Sequence, residues 1–281
     1  MSFLDLMLNW IGVLLWLNWR SSAPITPFHA PATTLLSTLK PTTTENVKKT
    51  SSLIILILLV LLRPFLYQYL GVYYDWVPSL RFGPVVLNFR SDYLSRMFVY
   101  SVLGLAKTMG IIYIWALFLS VFPPLKKSND FLSRIVKVLL GALDKLPLLI
   151  KVILPFFVGV LVWIILTWAL ASLDIIPRVT TFKLVFQQAI LFGVEVYLSL
   201  EFLLVFLFFL HLLNMYVYLG NATFWWVINS IAEICLTPIR WLPLQIARLD
   251  FTPVAGIALV IAISEFGSWL LAWVYQKLPL G

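Results

Sequence analysis

Six long apolar runs constrain the fold of this chain more than any other feature. A helix needs about 20 apolar residues to cross a bilayer. Only 11% of the residues are charged, whereas a soluble domain has about a quarter. The sequence therefore predicts an all-α, polytopic integral membrane helix bundle with five or six transmembrane helices. The runs are Phe3–Trp19, Ser52–Leu70, Phe98–Phe122, Pro147–Ser172, Phe182–Tyr216 and Thr252–Tyr275.

Two of these runs have unusual lengths. Phe3–Trp19 is at the lower limit for a span and is followed by Arg20, so it either spans the membrane or lies in its interface. Phe182–Tyr216 is too long for a perpendicular span, which predicts an interfacial start, a strong tilt or an extension beyond the membrane.

The segments between the runs are predicted to be irregular. Residues 21–50 are rich in Pro, Ser and Thr and form a loop, either a flexible linker or a segment packed over the membrane surface. Tyr73–Asn88 contains Pro78, Gly83 and Pro84, which predicts an interfacial loop or a shallow re-entrant segment.

The positive charge of the chain lies mainly between the runs. A net charge of +8 would suggest nucleic acid in a soluble protein, but here it favours membrane orientation and contact with anionic lipid. With six spans, the first, third and fifth loops carry eleven Lys and Arg residues and the opposite loops and tail carry five. The positive-inside rule then predicts that both termini lie outside the cytoplasm. If Phe3–Trp19 only lies on the membrane surface, the same loops stay inside and the N-terminus lies with them.

Two prolyl segments suggest an internal repeat. Leu146-Pro147-Leu148 aligns with Leu242-Pro243-Leu244, and Pro155 with Pro253 after a two-residue gap. Each copy follows an apolar run and an amphipathic segment, which predicts two related helix-pair units. We therefore divide the chain into an N-terminal helix and Pro/Thr-rich loop (1–50), a degenerate first unit (51–172) and a second unit (173–281). Only the second copy has Arg240, Arg248 and Asp250.

The start of the last run contains a helix-capping pattern. Asp250 or Thr252 can accept from free backbone N–H groups there, and Pro253 fits the first helical turn. Arg240 or Arg248 could pair with Asp250. The pattern is typical of a clamp that positions the last helix; a ligand or lipid-headgroup site is the alternative.

These residues carry a resemblance to a known family. Pro238-x-Arg240, Pro243 and Asp250-x-Thr252-Pro253 resemble the YggT family of small bacterial and plastid membrane proteins. This chain departs from the family pattern at Arg248, where a glycine is usual, and at Thr252, where a serine is usual. The resemblance implies a bacterial cytoplasmic (inner) membrane protein with a larger N-terminal part. It also implies roles in complex or cofactor assembly, cell division or osmotic tolerance.

Several polar residues lie at membrane depth and need partners, because ionisable groups in hydrocarbon are costly. Gln188 and Glu195 share one face of the fifth run, and Lys107 is predicted to pair with Glu195 or Glu201. The alternatives are structural hydrogen bonds between helices, a gated ion or proton path, and contact with a partner subunit. The residues concerned are Lys107, Glu195, Glu201, His211 and Asn214.

Other functions find little support in the sequence. One cysteine and two histidines argue against a disulfide framework, a multi-cysteine metal site and protein-held haem, so we expect no cofactor. No residues suggest an enzyme. We expect a scaffold, assembly factor or subunit of a membrane complex whose partners are membrane lipids and other proteins or copies of itself, with no nucleic acid. The alternative is an ion or proton transporter or channel that uses Lys107, Glu195 and Glu201. Against it, no run is broken at mid-membrane by Gly/Pro pairs, since the prolines lie near run ends.

Overall fold

The apolar runs form the helices of the protein, as seen in a computed structural model. It describes residues 2–21, 43–127, 130–176, 181–217, 222–241, 244–246 and 249–278. Within these ranges, five helices are long and apolar enough to cross a membrane. The chain is a multi-pass membrane protein with an all-α bundle, as predicted. Those five are Thr50–Tyr73, Leu94–Leu119, Leu148–Ser172, Phe182–Tyr216 and Thr252–Gln276.

The elements follow one another in a simple order. In the described part of the chain they are α1 (Ser2–Arg20), α2 (Thr43–Tyr73), β1 (Ser79–Phe82), β2 (Val85–Asn88), α3 (Leu94–Leu119), α4 (Pro123–Lys127), α5 (Phe131–Leu140), α6 (Leu148–Ser172), α7 (Phe182–Glu195), α8 (Leu200–Tyr216), α9 (Thr223–Leu236), β3 (Gln245–Ile246), β4 (Leu249–Asp250) and α10 (Thr252–Gln276). Short 3-10 segments are Gly141–Lys145, Val196–Ser199 and Thr237–Ile239.

Contacts divide the chain into two compact units. The first consists of Met1–Leu80, Leu87–Gly110 and Lys137–Leu139, and the second of Arg81–Val86, Ile111–Val136 and Leu140–Gly281. The order helix, short helix, connection, helix occurs in α3–α5–α6 and again in α8–α9–α10. The predicted boundaries after residues 50 and 172, and the duplication itself, stay predictions.

In the first unit, α1 lies antiparallel along α2. Asn18 Nδ2 donates to Ser52 Oγ at 2.7 Å, and Arg63 binds Asp5 farther along the pair. Helix α1 is not one of the five helices selected by length and apolarity, and both alternatives for Phe3–Trp19 stay predictions.

Two loop predictions were wrong in part. Helix α2 begins at Thr43, inside the predicted loop 21–50, while residues 22–42 lie outside the described range. Tyr73–Asn88 contains a β-hairpin, β1–β2, whose turn includes Gly83 at φ +61°. Glycine suits that left-handed conformation.

The second unit is built around close packing of α6 on α7. A Cβ atom added to Gly193 would lie 2.9 Å from the Phe156 carbonyl oxygen, so the two backbones approach too closely for a side chain there. Phe208, Ala232, Leu236 and Ile239 form a buried cluster that joins α8 to α9. Pro155 lies inside α6 and Pro64 inside α2, so prolines are not confined to helix ends.

The fifth run is a single helical stretch with an internal irregularity. Its 35 residues run from Phe182 to Tyr216, as the sequence predicted, but Val196–Ser199 has 3-10 geometry. Short 3-10 stretches inside long helices often mark strain or a hinge. The segment Val196–Ser199 itself contains no Gly or Pro that would predict it, and it lies between the acidic residues Glu195 and Glu201.

Candidate functional site

The connection before α10 holds its helix start through Asp250. β3 and β4 form a two-residue hairpin in which Gln245 pairs with Asp250. Asp250 Oδ1 then accepts hydrogen bonds from the Thr252 backbone N–H at 2.9 Å and from the Thr252 hydroxyl. Thr252 and Pro253 are both buried in the first turn of α10. Asp250 therefore accepts from a backbone N–H group at the helix start, as predicted, although the N-cap residue itself is Phe251, which has no side-chain cap hydrogen bond.

Tyr216 provides a second anchor for this connection, which the sequence did not reveal. Its hydroxyl accepts from the Asp250 backbone N–H at 3.1 Å and donates to the Asp250 carbonyl oxygen at 3.2 Å. The hydrogen bond from the Thr252 hydroxyl lowers the pKa of Asp250 against the opposing effect of burial, and the Thr252 backbone N–H and the charge of Arg240 lower it further. The carboxylate is therefore held in its charged form at the helix start.

The predicted clamp between arginine and Asp250 is wrong for Arg240. Its Nη2 lies 3.9 Å from Glu233 Oε2, and both side chains are about half exposed. Glu233 lies seven residues earlier along the chain, on α9, and α9 leads directly into the turn that carries Arg240. Arg248 and Pro243 lie outside the described residues, so the Arg248 alternative stays a prediction.

Two polar residues of α8 bind neighbouring helices. Ser264 Oγ on α10 donates to Glu201 Oε2 at 2.6 Å, and His211 Nδ1 lies 3.1 Å from Asn229 Oδ1 on α9. His211 and Ser264 are buried, whereas Asn214 is half-buried. These contacts place Glu201 and His211 between helices.

Glu195 lies against the turn of the β1–β2 hairpin. A Cβ atom at Gly83 would overlap the Glu195 carboxylate, so only glycine allows this approach. Beside it is a cleft of about 10 Å³, lined among others by Phe82, Trp163 and Gln188. A single water molecule needs about 10–15 Å³ of such volume, so this cleft is too small for a drug-sized molecule.

The predicted pairing of Lys107 with Glu195 or Glu201 stays a prediction. Lys107 belongs to the first unit and the two glutamates belong to the second. All three side chains are half-buried.

A buried ionic network in the first unit was missed by the sequence analysis. Arg63 Nη2 donates to Asp5 Oδ1 at 2.8 Å and to Asn9 Oδ1 at 2.9 Å, and the Tyr67 hydroxyl donates to Asp5 Oδ1 at 2.6 Å. The Arg63 side chain is 2% exposed. The sequence does contain a signal for this pair, because Asp5 and Arg63 are oppositely charged residues in two consecutive apolar runs.

A second ion pair holds the connection before α6. Lys151 Nζ donates to Asp144 Oδ1 at 3.0 Å, and the Lys151 side chain is 1% exposed. The first copy has no residues identical to Arg240, Arg248 and Asp250 of the second. It has its own pair at other positions, which an alignment of identical residues does not reveal.

Glu265 is the acidic residue of α10 that faces outward. It is the fourteenth of the 25 residues of this helix, close to the middle of the span, and it is exposed. The preceding residue, Ser264, is buried and binds Glu201. Of these two neighbouring polar residues of α10, Ser264 therefore faces the inside of the bundle and Glu265 faces its outer surface.

The described residues contain no group of three or more His, Cys, Asp and Glu side chains arranged to hold a metal ion. Cys235 on α9 is a free thiol, and burial raises its pKa to about 11. It is therefore protonated and unreactive at neutral pH. No family model, curated protein or solved structure matches this chain.

Proposed function

We propose that this chain is a non-enzymatic protein of the bacterial inner membrane that acts as a scaffold, assembly factor or subunit of a membrane complex. The observation that carries the proposal is that described polar groups at membrane depth join one helix to another. Asp5–Arg63 joins α1 to α2, Glu201–Ser264 joins α8 to α10, and His211–Asn229 joins α8 to α9. Hydrogen bonds of this kind fix helix packing where lipid supplies no hydrophobic driving force.

Membership of the YggT family is part of the same proposal. Its support is the residue order Pro238, Arg240 and Asp250-x-Thr252-Pro253. It is also supported by the position of Thr252 and Pro253, which begin α10 where the family pattern has a helix start. The inner-membrane location rests on this resemblance and on the five apolar helices.

Transport of an ion or proton is the second candidate, and one observation favours it. The 3-10 segment Val196–Ser199 separates Glu195 from Glu201 within a continuous helix. Transporters often place binding sites at irregular helical segments near the bilayer midplane. Glu201, however, is hydrogen-bonded to Ser264 on the neighbouring helix. A hydrogen bond of this kind holds two helices together and favours a structural role for Glu201.

Extraction from native membranes tests the leading proposal. A tagged chain would be taken up directly into polymer-bounded nanodiscs, without detergent, and the bound chains identified by mass spectrometry with their molar ratios. We expect at least one other protein in a fixed ratio to this chain, and its absence from an equally tagged, unrelated polytopic protein. Recovery without any other protein, together with ion flux through the purified chain in liposomes, would replace the proposal by transport.

A further inference from the structure

The outer face of α10 has a composition that lipid contact does not explain. Glu265 lies there near the bilayer midplane and is exposed. Ionisable side chains at this depth are costly unless another protein group or water covers them. Within the described chain, the neighbouring helices contact the other side of α10, through Gly256, Ser264 and Leu271.

Small residues lie on both sides of Glu265 along the same face of α10. Ala258 lies seven residues before Glu265 and Ala272 seven residues after it, while Ala262 precedes Trp269 by seven. A seven-residue spacing keeps side chains on one side of a helix that packs against another. Alanines at such positions let two membrane helices approach closely. Ala258, Ala262 and Trp269 are exposed, and Ala272 is half-buried.

We propose that this face of α10, centred on Glu265, binds the same face of a second copy of the chain. This inference rests on the proposed function as a membrane complex subunit and names one of the partners. Two copies inserted in the same orientation are related by a rotation axis along the membrane normal. Each residue on that axis therefore meets its own counterpart at equal depth.

The polar groups of this face can form hydrogen bonds with the same groups on a second copy. Across the axis, the carboxyl oxygens of each Glu265 can accept a hydrogen bond from a donor on the other copy. Ser268, three residues after Glu265 and also exposed, adds a hydroxyl donor near the same axis. The face thus supplies both donor and acceptor, and needs no cation from a different protein.

Disulfide crosslinking in native membranes tests this interface. In a Cys235→Ser background, Ala262→Cys is oxidised and the product is sized on a denaturing gel. We expect a species of twice the chain mass of 32.2 kDa. The matched control is Ile263→Cys, which is 60% exposed at the same depth but on the other side of α10. It should give little or none of that species.

Two further variants show whether Glu265 carries the association. Glu265→Leu combined with Ala262→Cys should lower the crosslinked fraction about three- to tenfold, the range expected for one interhelical hydrogen bond in a membrane. Glu265→Gln, which keeps a hydrogen-bonding group, should lower it less. Because Glu265 is exposed, neither change disturbs the fold, and the amount of inserted monomer is the check.

Three results would overturn the inference. They are equal crosslinking at residues 262 and 263, a chain that stays monomeric after oxidation, and a crosslink to a protein of different mass. The last would replace the second copy by a different subunit and leave the scaffold proposal standing. Conversely, a dimer that contains no other protein and conducts ions would support this interface and remove the scaffold proposal.

Discussion

The connections before α6 and α10 both lead into a helix whose start contains proline, but they are held by different contacts. Before α6, Asp144 binds Lys151, which lies one turn inside the helix and is buried. Before α10, Asp250 binds the backbone N–H and hydroxyl of Thr252, the first residue of the helix. One connection uses an ion pair and the other uses hydrogen bonds to the first residue of the helix.

The two connections share one feature and differ in two others. Both place an aspartate at the entrance to a membrane helix, where an acidic group complements the helix dipole. The aspartates occupy positions that the sequence alignment does not match, and their partners differ in kind. The two connections should therefore differ in how much each aspartate stabilises the fold, which mutations can measure.

The largest effect is expected at the connection before α6. Asp144→Asn leaves the buried Lys151 without its counter-charge, and removing one partner of a buried pair costs about 3 kcal/mol or more. Chemical unfolding in lipid–detergent micelles measures the loss. The double variant Asp144→Asn, Lys151→Met should recover most of it, because no unpaired charge remains. A loss below about 0.5 kcal/mol would show that Lys151 reaches water instead.

A smaller effect is expected at the connection before α10. Asp250→Ala removes the acceptor of two hydrogen bonds from Thr252 at the start of α10, and we expect a loss of about 1 kcal/mol. Because the folded-state pKa of Asp250 lies below its usual value of 3.8, its contribution is present above that pH and is lost as the pH falls below it. The same unfolding titration at pH 7 and at pH 3 checks this. Wild type and Asp250→Ala should differ less at the lower pH, and an unchanged difference would contradict the assignment.

The second anchor of that connection should contribute less. Tyr216→Phe removes both hydrogen bonds to the Asp250 backbone, but the side chain is 47% exposed and water can replace it. We expect a loss of about 0.5 kcal/mol, measured in the same titration. Tyr275→Phe, at the far end of α10, is the matched control. A loss larger than that of Asp250→Ala would make Tyr216 the main anchor.

The smallest effect is expected for Arg240. Its contact with Glu233 is long and exposed, and such pairs contribute about 0.5 kcal/mol or less. Arg240→Ala should therefore unfold at nearly the same denaturant concentration as wild type, with or without added salt. A salt-sensitive loss of 1 kcal/mol or more would restore the predicted clamp between Arg240 and Asp250.

The helices could be predicted from the sequence because membrane spans are encoded by long apolar runs. The ends of Phe182–Tyr216 were predicted to the residue, and α6 and α10 to within one residue. The β1–β2 hairpin was not, because its strands are four residues each and a Pro-Gly-rich stretch also fits a loop. The role of Asp250 at the helix start was predictable since its contact with Thr252 is local in sequence.

Contacts between distant residues were beyond the sequence analysis. Asp5 and Arg63 are 58 residues apart, and only the antiparallel packing of α1 on α2 brings them together. Glu201 was identified as needing a partner, but its donor proved to be Ser264, a common residue with no signal of its own. A need for a partner can be deduced from one residue, whereas the partner's identity depends on helix register and rotation.

The central claim is that polar groups in the membrane join helices and do not conduct. It is tested most directly by proton flux and stability measured on the same proteoliposomes, for wild type and Ser264→Ala. The account predicts flux at the level of empty liposomes for both proteins, and a loss of about 1 kcal/mol in unfolding free energy for the variant, which leaves Glu201 without its donor. Proton flux through the wild type that the variant alters, with unchanged stability, would contradict it.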